Sequence, residues 1–218
     1  MYPTPVPKND TDSLYRITLI LAIFTIAYNI IEGLVGTYAG YHDRSFTLFG
    51  FGVDSFIEAL SGFGIAHMVL RIRKEPDACK DNFERTALRI TGIAFYTLAA
   101  GLVATGFYNI WTGHKPESTF WGVVISIVSI AVMWALIYWK RRVGKQLNSE
   151  AILADAECTM VCVNMSIVLL ASSIIYELAK IPYIDAVGTL GLAYLSFKEG
   201  KECFEKGKNN NHCSCGHK

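Results

Sequence analysis

Long apolar runs alternate with short polar breaks along this chain. The runs extend from about Ile17 to Tyr38, Phe46 to Leu70, Ile90 to Ile110, Thr119 to Trp139, Ala151 to Tyr176 and Ile181 to Phe197. Each is long enough, or nearly so, to cross a hydrocarbon core of ~30 Å at ~1.5 Å of helix rise per residue. The sixth is the shortest. The pattern predicts an all-α integral membrane bundle of six transmembrane helices. It also predicts three parts: a polar tail over residues 1–13, a six-helix domain over 14–203, and a polar tail over 204–218.

The polar breaks fix an expected orientation. Of the 20 lysines and arginines, 17 fall before the first run, between the second and third, between the fourth and fifth, or after the sixth. The other three breaks hold Arg44, Lys115 and Lys180, one each. Positive charge stays on the cytosolic side of a membrane, so both termini are expected in the cytosol. No signal peptide is evident, because the first thirteen residues are polar and lead into a full-length run.

Composition agrees with this reading. Apolar residues make up 52% of the chain and charged residues 18%. The formal net charge of +1 says little about partners, and nothing in the pattern points to nucleic acid. Six cysteines invite a disulfide framework, but Cys158 and Cys162 fall inside a run. Cys79, Cys203, Cys213 and Cys215 fall on the side expected to be cytosolic and reducing, where metal binding or plain burial is expected instead.

Candidate chemistry lies where a membrane helix should carry none. The fifth run opens with Asp155, Glu157, Cys158 and Cys162. On a helix Asp155, Cys158 and Cys162 (i, i+3, i+7) share a stripe, with Glu157 about 100° away. The second run carries Asp54 and Glu58 at i, i+4, with Ser61 continuing that stripe. A carboxylate facing lipid costs ~2.5–3.5 kcal/mol on an insertion scale, so these acids should face the bundle interior. Two readings stay open there: hydrogen bonding to neighbouring helices, or metal ligation. The cysteines alone read as small hydrophobes as readily as ligands. Together, Asp54, Glu58, Cys158 and Cys162 supply two oxygen and two sulfur donors, a set suited to tetrahedral zinc. Sulfur also suits cadmium or monovalent copper and disfavours magnesium, calcium and manganese.

Ser149-Glu150-Ala151-Ile152-Leu153-Ala154-Asp155-Ala156 and the Ser45 to Asp54-x-x-x-Glu58 stretch resemble the cation diffusion facilitator (cation efflux) family. Its second and fifth helices typically read Ser-x-Ala-Leu-x-Ala-Asp-Ala-x-His-x-x-x-Asp. The resemblance implies a metal transporter with ligands at Asp54, Glu58, Cys158 and Cys162. Cys158 and Cys162 stand where the family has His and Asp, and Asp185 resembles an aspartate at the start of its sixth helix. Only about 20 residues follow the sixth run, so the resemblance covers the transmembrane part without the family's usual soluble C-terminal domain, its usual route to dimers.

The function expected is secondary transport: export of a soft divalent cation, zinc first and cadmium or cobalt next, in exchange for protons. Substrates are then a metal cation and protons, the surroundings a lipid bilayer (a bacterial inner membrane), with a homodimer left open. No resident cofactor and no enzymatic step are expected. Asp155 reads as a support for the ligands or an entry point, and Glu32, in the first run, as a proton relay or an interhelical hydrogen bond. His212, Cys213, Cys215 and His217 form a candidate metal-capture tail. The alternatives are an exporter of copper or another thiophilic metal, or a membrane sensor or assembly subunit that binds metal without moving it.

Overall fold

The computed structural model describes residues 8–74, 81–147, 149–181 and 183–209. They form six helices: α1 (Lys8–His42), α2 (Phe46–Lys74), α3 (Asp81–Thr112), α4 (Phe120–Gln146), α5 (Glu150–Ala179) and α6 (Ile184–Asn209). No strand occurs among the described residues. α1 starts within the stretch expected as a tail, and α6 continues past residue 203.

Five helices are long and apolar enough to cross a membrane, within Ser13–His42, Phe46–Gly64, Arg89–Thr112, Phe120–Gln146 and Asp155–Ala179. The sixth expected span is a helix of 26 residues, but its apolar part ends at Phe197 and Lys198, Glu199, Lys201 and Glu202 follow directly. Its charge comes too early for an apolar stretch of full length. The helix packs along α3, and its acids Asp185 and Glu199 are covered by protein.

The bundle is polar inside and apolar outside. Ile20, Phe24, Ile31 and Leu34 of α1 and Trp134 of α4 are exposed. Thr25, Asn29, Glu32, Ser126, Ser129, Ser166, Thr189 and Ser196 are buried. Water would penalise that exterior, whereas hydrocarbon solvates it and drives polar groups inward. Exposed Tyr41, Trp111 and Trp121 ring the helix ends at one face, and Tyr138 and Trp139 lie toward the other. Amphipathic aromatic rings favour such interfacial depths.

The tightest pairings are α1 with α2, α3 with α6, and α4 with α5. α1 and α2 meet backbone to backbone. A Cβ on Gly52 would come within 2.7 Å of the Gly36 carbonyl carbon, and one on Gly40 within 2.6 Å of Phe49 Cα. Glycine removes that obstacle and lets the helices close. α1 ends in a turn in which Ser45 N–H donates to Gly40 O at 2.9 Å, with Arg44 held at φ 53°. That is the bonding that satisfies the last carbonyls of a helix.

The three short connections at this face are tied together. Glu117 N–H donates to Asp43 O, and the Tyr176 hydroxyl donates to Pro116 O at 2.6 Å. Thr119 N–H and hydroxyl both donate to Glu177 Oε1. Asp185 of α6 closes the arrangement over the start of α2. Its carboxylate accepts from Ser45 Oγ (2.7 Å), Phe46 N (3.0 Å), Thr47 N (3.3 Å) and Asn109 Nδ2 (3.1 Å). The first amides of α2 have no helical partners of their own, and a carboxylate there also complements the helix dipole.

Candidate functional site

α2 and α5 bring their unusual residues to one depth in the bundle. Asp54 lies about 12 Å along α2 from its start, and Cys162 about 18 Å along α5, at ~1.5 Å per residue. Asp54 is 2% exposed, Glu58 5% and Cys162 5%. The Cys162 thiol donates to Asp54 Oδ2 with Sγ–O 4.0 Å. Glu58, one turn along α2, is also within interaction range of Cys162. Asp54 Oδ1 and Glu58 Oε1 are buried and meet no hydrogen-bond partner among the described residues. Buried carboxylate oxygens seldom stand so, because each lost partner costs ~1–3 kcal/mol or more.

The four residues expected as ligands are not all in mutual contact. Among the described residues no group of three or more His, Cys, Asp or Glu side chains is gathered tightly enough to hold a metal ion. Cys162 contacts Asp54 and lies within interaction range of Glu58, and no tighter group of the three forms. Cys158 is half-buried one turn along α5, within the field of Lys140. Residues one helical turn apart hold their Cβ atoms ~5–6 Å from each other, so Cys158 and Cys162 share a face.

Asp155 has a partner that the sequence pattern had assigned to a loop. Lys140 Nζ lies 2.8 Å from Asp155 Oδ2, and donates to Thr159 Oγ1 at 2.9 Å. The Lys140 side chain is 3% exposed and that of Asp155 7%. Lys140 was counted among the charges of the break after the fourth run. In the fold, α4 continues to Gln146, and Lys140 falls on its buried stripe with Met133, Leu136, Ile137 and Val143. That helical spacing was present in the sequence, but the apolar run ends at Trp139 and obscured it. Glu199 was missed for the same reason. It is buried on α6, within electrostatic range of Asp54 and Cys162, and its i, i+4 relation to buried Cys203 repeats the spacing of the other two pairs.

Glu32 is drawn into the interior of the bundle. Its carboxylate accepts from Tyr28 Oη (2.9 Å) on its own helix and Ser55 Oγ (3.0 Å) on α2. Ser129 of α4 is within its hydrogen-bonding range and accepts from Ser166 Oγ of α5 at 3.0 Å. Ser55 neighbours Asp54, so polar groups run from the α1–α2 contact to the buried acids. His212, Cys213, Cys215 and His217 lie outside the described residues.

The cation efflux transmembrane domain family matches residues 17–207. The chain belongs to the cation efflux family. Its members are metal-cation transporters rather than enzymes, and this chain is an integral membrane protein. It is also 26% identical over 181 residues to an uncharacterized transporter of Methanocaldococcus jannaschii, a match covering 81% of this chain. The chain spans 63% of that relative's length. Within this cation efflux chain, α2 and α5 are the helices that bring acids and thiols together.

Proposed function

We propose that this chain exports a soft divalent cation, zinc first, from the cytosol in exchange for protons, binding it with Asp54, Glu58, Cys158 and Cys162. The observation that carries the reading is the Asp54–Cys162 contact beside two buried carboxylate oxygens that have no hydrogen-bond partner among the described residues. An oxygen-and-sulfur donor set selects zinc or cadmium over manganese or magnesium. Cys158 completes the set by turning toward Cys162 on the shared face. Family membership supports cation transport, and the lysine and arginine distribution supports cytosolic termini in a plasma membrane, for which a bacterial inner membrane is the reading offered.

Proton exchange follows from the donors. A thiol gives up its proton when it becomes a ligand, so binding releases protons and protonation releases metal. Glu32, with Tyr28 and Ser55, offers protons a route to and from the buried acids. The reading is tested by zinc and cadmium titration of the purified protein. Binding that is lost in Asp54→Asn and in Cys162→Ser supports it, and equal affinity in both variants contradicts it.

A further inference from the structure

The buried ion pair of Lys140 and Asp155 has no part in the ligand set just described, yet it stands against it. Asp155 lies one turn before Cys158 on the stripe that leads to Cys162. Lys140 reaches it from α4, and its field extends to Glu58 and Cys158. Thr159 completes the seat: its hydroxyl receives a hydrogen bond from Lys140 Nζ and donates to Asp155 O at 3.0 Å. Burying two charges is costly unless geometry and hydrogen bonds compensate. Here two short contacts do so, and both belong to one ammonium group.

We propose, building on the reading of Asp54, Glu58, Cys158 and Cys162 as the transport site, that Lys140 sets its metal preference by withholding Asp155. A free carboxylate one turn from Cys158 would be a third hard oxygen donor at the site. Hard oxygen donors favour manganese and magnesium, whereas sulfur favours zinc and cadmium. With Oδ2 held 2.8 Å from an ammonium, Asp155 has its charge matched and that oxygen engaged by Lys140. The thiols then dominate the choice. Lys140 is on this account a specificity-determining residue that never touches the metal.

The measurement is calorimetric titration of the full-length protein in detergent with cadmium and with manganese, compared as a ratio of affinities. Lys140→Met frees Asp155 and lowers the cadmium-to-manganese ratio by about tenfold, the scale on which outer partners tune metal sites. Lys140→Gln keeps a hydrogen-bond donor near Asp155 without the charge, and lowers the ratio in the same direction even where Lys140→Met folds poorly. Lys140→Met with Asp155→Leu removes both charges and restores the wild-type ratio, as does Lys140→Arg. A residue that only holds α4 against α5 would change both affinities together and leave the ratio alone. An unmoved ratio in Lys140→Met and Lys140→Gln, with cadmium still bound, overturns the role of Lys140 and leaves the transport site standing. Absence of cadmium binding in the wild type overturns both.

Discussion

Cys162 Sγ stands 4.0 Å from Asp54 Oδ2, a thiol of α5 aimed at a carboxylate of α2 inside a membrane bundle. Cys158, one turn away, is only half-buried. The two cysteines should therefore contribute unequally. Cys162→Ala is expected to weaken zinc or cadmium binding by more than the ~10–100-fold typical of outer partners, and Cys158→Ala by less than Cys162→Ala. Titration of the two single variants gives the order directly.

Binding should tighten as pH rises. The donors bind metal in their deprotonated forms, so at low pH protons occupy them and compete with the ion. Each proton displaced steepens the dependence by about tenfold in affinity per pH unit while its group remains protonated. Cadmium affinity measured across the neutral range should rise with pH in the wild type. The dependence should flatten in Cys162→Ala, which has one proton fewer to release. A pH-independent affinity would contradict proton displacement at the site.

Asp185 is expected to serve stability. It accepts four hydrogen bonds from Ser45, Phe46, Thr47 and Asn109 at the start of α2. Asp185→Ala removes a helix cap worth ~1 kcal/mol and leaves buried donors unpaired at ~1–3 kcal/mol. The melting temperature in detergent should drop, while the cadmium-to-manganese ratio of the protein that remains folded stays at the wild-type value.

Gly52→Ala tests the close approach of α1 and α2. The added methyl group would meet the backbone of Gly36 and Thr37, which cannot move aside as a flexible side chain would. Overpacking of this kind costs ~1–3 kcal/mol. A lower melting temperature is expected for Gly52→Ala. Gly101→Ala, where an added Cβ meets nothing within 4 Å, should not lower it, because alanine is the better helix former.

The helices and the acids facing inward were legible because apolar runs and i, i+4 spacing are local properties of the chain. Asp54 and Glu58 are buried on the side their spacing required, and the cation efflux resemblance of the α2 and α5 stretches is matched across residues 17–207. What stayed hidden were charges that become buried only through tertiary packing. Lys140 and Glu199 each follow the last strongly apolar stretch of a helix, where hydropathy alone reads the chain as leaving the membrane. Their burial depends on the α4–α5 pairing and on the packing of α6 against its neighbours. α6 likewise lies within the bundle without an apolar stretch of full spanning length, because its acids are covered by protein.

The proposed transport couples metal and proton movement through the Asp54, Glu58, Cys158 and Cys162 site. Its most direct test is metal flux in proteoliposomes carrying a pH-sensitive dye, with zinc, cadmium, cobalt and manganese in turn. Zinc or cadmium is expected to move one way while protons move the other, and both movements are expected to stop in the Cys158→Ala, Cys162→Ala double variant. Flux of every tested metal at the wild-type rate in that variant, or metal movement with no opposite movement of protons, would contradict it.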